Sequence, residues 1–371
     1  MTTPTHAPVP TQPPAAMSPT LSVIVPVYNA PAELQRCLAA LAASRYEHFD
    51  VLVIDDGSTV SVEAVVAAYG FKSLRLDGPG GPARARNYGA AQVTGQYVVF
   101  IDADVCVHQD TLERFAAAFT ADQTLDAVIG AYDETPAAPN FLSQYKNLFH
   151  AYTHQRNDGP ISTFWSGCGA IRRELFLAYG GFDAQRYPRP AIEDIELGMR
   201  LWIAGHRIVL DRHITATHLK RWTLWRLLKT DIFDRGIPWM RLMWRLGAVA
   251  NTLNVTPGQR LSVVLVYLLG LMVLLTAWWP EGWIGTVALA AVVMMVNHDF
   301  YRFLAARRGV WFTLRALPLH WLYFDYCGFC VVWGTLLHVL AKDPSSARGD
   351  IHWANSPASS EAPSRRHTWL R

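Results

Sequence analysis

The chain has 371 residues, 51% hydrophobic and 17% charged, with a formal net charge of +3. That length allows one large domain or two smaller ones, the apolar excess argues against a purely soluble chain, and so small a charge says little about partners. The five cysteines, Cys37, Cys106, Cys168, Cys327 and Cys330, are placed so as to exclude a disulfide framework.

Residues 1 to 20 are rich in Pro, Thr and Ala, without a basic start or an apolar run. They read as a disordered tail, and no signal peptide is expected. LSVIVPV (21 to 27) is a continuous β-branched run, the pattern of a strand covered on both faces. PAELQRCLAALAAS follows as a helix, with Pro31 suited to its first turn and Leu34, Leu38 and Leu41 on one face. VLVI (51 to 54) is a second strand, ending in the turn DDGS. A helix near 61 to 69 and a short strand near 73 to 76 come next. The loop DGPGGP opens the helix of ARARNYGAAQ, and YVVFI (97 to 101) is a further strand. This alternation predicts a mostly parallel, doubly wound sheet, with ligands beyond the carboxyl ends of the strands. Both acidic turns, Asp55-Asp56 and Asp102-Asp104, fall at such ends.

FIDADV (100 to 105) offers two carboxylates separated by one alanine. In an extended chain residues two apart point to the same side, so Asp102 and Asp104 are expected to face one point. Two such charges repel unless a cation joins them, and oxygen ligation suits Mg²⁺ or Mn²⁺ shared with a substrate's phosphates. A solvated turn is the alternative for so short a motif.

Further on, FWSGCGAIRRELFLAYGGFD (164 to 183) precedes an acidic helix start, IEDIELGMRLW (192 to 202), then short strands RIVL and ITATHL. Between Arg200 and Leu246, ten Lys or Arg stand against three Asp, interleaved with Trp202, Trp222, Trp225, Trp239 and Trp244. Basic residues mixed with tryptophan before an apolar run describe a helix in the lipid interface, rather than a nucleic-acid surface.

LSVVLVYLLGLMVLLTAWW, from Leu261 to Trp279, carries no charge and is long enough to cross a bilayer core of about 30 Å. A second run, Trp283 to Val296, reaches spanning length if Asn297 to Leu304 continue its helix. A third, near Leu317 to Leu340, contains Pro318, His320, Asp325 and His338. Three spans are expected, or two with a re-entrant segment. The link between the second and third holds Arg302, Arg307, Arg308 and Arg315, which places it and the amino-terminal region in the cytoplasm. His320 and Asp325 are expected to pair with one another or with His298 and Asp299. Cys327 and Cys330 are expected as small helix-packing residues. The division expected is a tail (1 to 20), a catalytic domain (21 to 220), a basic interfacial segment (221 to 258), a membrane domain (259 to 341) and a polar tail (342 to 371).

Taken together, SVIVPVYNA, VLVIDDGST, GPARARNYGA, FIDADV and GGFD followed by Glu193-Asp194 resemble the motifs of family 2 glycosyltransferases, in order and spacing, over about residues 21 to 222. The resemblance implies an α/β GT-A fold (nucleotide-diphospho-sugar transferase, Rossmann-like) followed by C-terminal transmembrane helices, using a UDP-, GDP- or dTDP-linked sugar. It implies that Pro26, Tyr28, Asp55 and Asp56 line the base and ribose pocket, that Asp102 contacts the donor, and that Asp104 binds the Mg²⁺ or Mn²⁺ ion. Arg84 and Arg86 would add positive charge near the diphosphate, or are solvated helix arginines. Asp194, beside Glu193, would be the general base for an attacking hydroxyl, with inversion. That favours a lipid or lipid-linked glycan hydroxyl, at the inner membrane, over a polyprenyl phosphate. His218, Arg221 and Trp222 stand where processive members carry Gln-x-x-Arg-Trp. Histidine for glutamine puts chain extension in doubt and offers a further metal ligand, while Trp222 would stack on an acceptor or anchor the interface. Gly167 and Cys168 match the small-residue turn near the acceptor. A processive polysaccharide synthase and a non-catalytic nucleotide-binding membrane scaffold are the alternatives.

Overall fold

The computed structural model describes residues 18–249 and 253–340, and the side chain of residue 254 is outside that description. The expected tails therefore lie outside the described residues, apart from positions 18 to 20. Strands β1 (Leu21–Val27), β2 (Phe49–Asp55), β3 (Lys72–Arg75) and β4 (Tyr97–Ile101) are parallel to their neighbours, joined through helices α1 (Pro31–Ala42), α2 (Glu63–Ala67) and α3 (Pro82–Gln92). Every residue of β1 is buried, as its apolar run requires of a central strand. Helix α1 buries Leu34, Cys37, Leu38 and Leu41. Helix α3 instead turns small residues to the sheet: a Cβ on Gly89 would stand 2.8 Å from Ile24. That close approach aims Arg86 of α3 into the interior.

Beyond β4 the expectation of a mostly parallel sheet is corrected. The chain continues through β5 (Val105–Val107), α4 (Thr111–Ala121), β6 (Ala127–Tyr132), α5 (Phe141–Gln155), β7 (Gly159–Pro160), β8 (Cys168–Arg172), α6 (Arg173–Ala178), α7 (Glu193–Ile203) and β9 (Ile208–His218). The order across the sheet is β3-β2-β1-β4-β8-β6-β9-β5, with β7 on β9. Strand β8 is antiparallel to both neighbours, and β5 to β9. Strand β8 enters from a loop rather than a helical crossover, so it is free to run against β4. RIVL and ITATHL, expected as two strands, form the single β9, whose register on β6 shifts between Ile129 and Ala131.

The chain then forms α8 (Leu224–Lys229), a π-helical turn (Thr230–Gly236), α9 (Ile237–Leu246), α10 (Pro257–Leu275), α11 (Trp283–Val296), α12 (His298–Arg308) and α13 (Val310–Leu340). Among the described residues α10 and α13 are long and apolar enough to cross a membrane. The expected continuation of the second span through Asn297 to Leu304 is corrected, because α12 departs at 70° from Pro280–Val296. At the break, Asn297 Nδ2 donates to the Val293 carbonyl and to Ser262 Oγ, each at 2.9 Å. Counting the bent pair as one span gives three. Cys330 packs on Gly236, where a Cβ would stand 2.6 Å from its Sγ.

A buried cluster joins the sheet domain to these helices. Lys146 Nζ of α5 lies 2.5 Å from Asp231 Oδ2 in the π-helical turn, and Tyr326 of α13 donates to the same oxygen at 2.6 Å. Asp231→Ala strands the Lys146 charge, with an expected loss of about 3–5 kcal/mol. Arg114→Ala, which breaks an exposed pair with Asp110, costs under about 0.5 kcal/mol. Thermal melting of the two variants in detergent separates them, and equal melting points would refute the cluster's role.

Candidate active site

The carboxyl ends of β1, β2 and β4 open on one edge of the sheet, and the expected donor residues gather there. Tyr28 follows β1 and is 50% exposed, while Pro26 is buried within the strand. Both acids of the DDGS turn are buried and satisfied internally. Asp55 accepts from the Ser58 amide (2.8 Å) and Arg75 Nη1 (3.2 Å). Asp56 accepts from the amides of Gly80 and Gly81, the latter at 2.7 Å, and from Arg84 Nη2 at 3.1 Å. Asp55 thus braces its own turn against β3, Asp56 braces the 77 to 81 loop, and the Arg84 guanidinium is held against Asp56. Gly81 has φ of 88°, and a Cβ there would stand 2.4 Å from the Pro188 carbonyl, so only glycine fits this bend.

Arg86 is neither solvated nor directed at open space, which corrects both expectations for it. Its guanidinium is buried between Asp102 Oδ1 (2.5 Å) and Glu193 Oε1 (3.0 Å). Burial raises the pKa of both carboxyls, against the opposing pull of Arg86. Glu193 Oε2 accepts from the Ala191 amide at 2.9 Å, so this acid is fully engaged.

The shared face expected of Asp102 and Asp104 is also corrected. Strand β4 ends at Ile101, and a turn closed by the Val105 amide on the Asp102 carbonyl (2.9 Å) breaks the two-residue alternation. Asp102 goes to Arg86, whereas Asp104 faces His218, with Nε2 and Oδ2 3.6 Å apart. Burial pushes the Asp104 carboxyl up, but His218 and Lys220 outweigh it and bring the pKa to about 2. His218 Nδ1 lies 2.7 Å from Asn147 Oδ1, which also accepts from Trp222 Nε1 at 3.3 Å. The ring stacks on Tyr132 at 4.3 Å. Nδ1 therefore carries a proton, and Nε2 is left to Asp104: a pairing group as a cation, a lone pair as a neutral ring. Among the described residues no three His, Cys, Asp or Glu side chains converge on one metal position. Asp104 and His218 fit an ion that takes its other ligands from a substrate's phosphates and water.

Asp194, the second residue of α7, has both oxygens held, Oδ2 accepting from the amide and the hydroxyl of Ser166 at 3.0 Å and Oδ1 from the Ile195 amide at 2.8 Å. It remains partly exposed. The Gly167 carbonyl accepts from the Asp102 amide at 3.3 Å, and a Cβ on Gly167 would meet the Trp165 ring at 2.7 Å. Cys168 is fully buried on β8, which removes it from contact with an acceptor. Arg221 is exposed. Trp222 is only 1% exposed, so the expectation that it stacks on an acceptor or enters the interface is corrected: its indole packs among Tyr145, Phe149 and Leu227. Asn147, Ser166 and Lys220 were missed from sequence. Ser166 and Lys220 flank motif residues, but nothing around Asn147 marks it.

Without Arg86 the buried Glu193 would keep only the Ala191 amide, and the partly exposed Asp102 would lose its cation. A carboxyl whose folded pKa stands above its unfolded value, about 3.9 for Asp and 4.3 for Glu, contributes stability below that value and loses it as pH rises. Arg86→Met is therefore expected to melt below the wild type at neutral pH, with the gap narrowing towards pH 5. A gap constant with pH would refute the triad.

Residues 22–180 match the family model described as Glycosyl transferase family 2. The pre-mycofactocin glycosyltransferase of Mycobacterium tuberculosis is 30% identical over 216 residues, covering 54% of this chain and 44% of that protein. The poly(ribitol-phosphate) beta-N-acetylglucosaminyltransferase TarS of Staphylococcus aureus is 34% identical over 115 residues, covering 29% and 20%. The matches thus span less than half the length of either relative. The solved mannosyltransferase PcManGT of Pyrobaculum calidifontis aligns over 91% of this chain and 92% of its own at 17% identity, with a TM-score of 0.49, too low to carry an argument. The family match, on the mixed α/β sheet and the motifs at its edge, gives this chain a family 2 glycosyltransferase domain over residues 22–180, followed by C-terminal helices apolar enough to span a membrane.

Proposed function

We propose that the chain is an inverting transferase that moves a sugar from a nucleotide-sugar donor to a hydroxyl of a lipid or lipid-linked glycan at the cytoplasmic face of the cell membrane. The observation that carries this reading is Asp194, a partly exposed carboxylate whose Oδ2 is fixed by Ser166. A sugar hydroxyl is a poor nucleophile at neutral pH, and a fixed carboxylate that takes its proton during attack is a general base. Attack opposite the departing diphosphate inverts the anomeric carbon. Glu193, buried on Arg86, positions the start of α7 rather than moving a proton.

Asp104 and His218 are the residues that would hold Mg²⁺ or Mn²⁺, which when bound offsets charge on the leaving diphosphate. Tyr28 offers an exposed ring to the donor's base, above the turn and loop that Asp55, Asp56 and Arg84 hold in shape. Exposed Arg221 and the turn at Gly167 lie on the acceptor side. The names of both relatives support sugar transfer. Arg302, Arg307 and Arg308 on α12, between apolar helices, support the cytoplasmic placement. Exposed Trp225, Phe233 and Trp244 support contact of α8 to α9 with the lipid interface.

The test is nucleotide release from UDP-, GDP- and dTDP-sugars with Mn²⁺ or Mg²⁺ and native lipid extract. One donor is expected to turn over, and Asp194→Asn to lower the rate about 10²- to 10⁴-fold while donor binding persists. Asp104→Ala is expected to abolish the metal requirement of donor binding together with turnover. Full activity in Asp194→Asn, or turnover of no donor, would sink the proposal.

A further inference from the structure

A cavity of about 260 Å³ lies on the face of α5 turned away from the acids. Asn147, His150 and His154 of α5 face His218 and Tyr132, whereas Phe149, Tyr152, Thr153 and Arg156 line the cavity. Its other walls are the first turn of α10 (Thr256, Gln259), the break at Asn297, and His320 of α13. The first turn of α10 and the break after α11 are ends of apolar helices, and His320 stands about three turns into α13, which places the cavity towards one end of the apolar bundle.

Two polar atoms that line it have no partner among the described residues, His320 Nε2 and Gln259 Oε1. His320, 1% exposed, does not pair with Asp325, His298 or Asp299 as expected from sequence. Its Nδ1 lies 3.1 Å from the Tyr301 hydroxyl, which accepts from Trp321 Nε1 at 3.3 Å. The hydroxyl either gives its proton to Nδ1 or accepts from it, so Nε2 is a donor or an acceptor according to the tautomer, and in both cases it is unpaired. Gln259 Oε1 is an acceptor without a donor. An unpaired buried polar atom is costly, so a ligand that satisfies both gains that cost back.

The cavity's charges cancel, since Arg156 Nη1 sits 2.7 Å from Asp299 Oδ2. A phosphate would find no free cation there. Two unpaired polar atoms and the rings of Phe149, Tyr152 and Phe300 instead match a hydroxylated, uncharged group with apolar faces, since a hydroxyl donates or accepts as each atom requires. We propose that this cavity binds the neutral sugar headgroup of a membrane glycolipid, at a site separate from the transfer site. The proposal does not depend on the sugar-transfer reading, since α5 stands between the two.

The test uses the full chain in nanodiscs of phosphatidylcholine carrying equal amounts of monoglucosyl diacylglycerol, diacylglycerol and phosphatidylglycerol, with retained lipid counted by native mass spectrometry. The glucolipid is expected to be enriched over both others. Gln259→Leu is expected to lower that enrichment about five- to tenfold, the worth of one hydrogen bond. Should that variant not fold, His320→Phe, which keeps a flat ring among Phe149, Phe300 and Phe324, reads the same loss. Equal retention of the three lipids, preference for phosphatidylglycerol, or undiminished enrichment in the variant overturns the proposal and leaves a cavity filled by water.

Discussion

The guanidinium of Arg86 is the constraint on which the rest of the site depends. It ties three elements that are far apart in sequence: α3, the turn after β4, and the start of α7. With Glu193 held on one side and Asp102 on the other, the next residue of α7, Asp194, has one place to stand. Buried ion pairs of this kind add little net stability, because desolvation cancels much of the attraction. Arg86 Nε has no partner at all, which makes the cluster a poor stabiliser. Its consequence is geometric: Asp102 and the carboxylate proposed as base share one rigid reference.

A second wall, α5, stands against the other side of the same face. Its consecutive residues Lys146 and Asn147 serve different structures. Lys146 holds Asp231 and through it Tyr326 of α13, while Asn147 holds His218 and Trp222. Contact is thereby continuous from a helix long enough to cross a membrane to the histidine that faces Asp104. Trp222, packed behind His218 with Lys220 over its ring at 4.6 Å, fills this joint instead of reaching outwards.

The elements that were legible in the sequence are those with one strong period. Strands β1 and β4 were read to the residue, and α1 and α7 nearly so, because each is either a largely apolar run or an amphipathic helix. Motifs brought His218 beside Asp104, and the structure sets the two 3.6 Å apart, one in the turn after β4 and the other at the end of β9. Direction and orientation were not legible. Nothing in 105 to 167 signals that β8 runs against β4. The alternation rule fails at Asp104 because a turn replaces the strand, and the 70° break at Asn297 depends on a side-chain bond to another helix. Cys168 and Trp222 carry the right motif letters, but burial is set by tertiary packing that those letters do not record.

Helix α5 shows why the most informative wall was invisible. Its sequence, FLSQYKNLFHAYTHQ, has no clean apolar stripe, and a helix without one reads as weak or exposed. The structure buries it on both sides, so polar residues occur all round and each needs a partner. On the sheet side Asn147 has His218 and Trp222, and the rings of His150 and His154 lie nearly parallel to Tyr132, although His154 Nδ1 has no hydrogen-bond partner among the described residues. On the membrane side Arg156 finds Asp299, yet opposite this face His320 and Gln259 each keep an atom unmatched. Helix α5 thus meets the sheet through bonded and stacked side chains and meets the apolar helices across a cavity of about 260 Å³, the space proposed for a lipid headgroup.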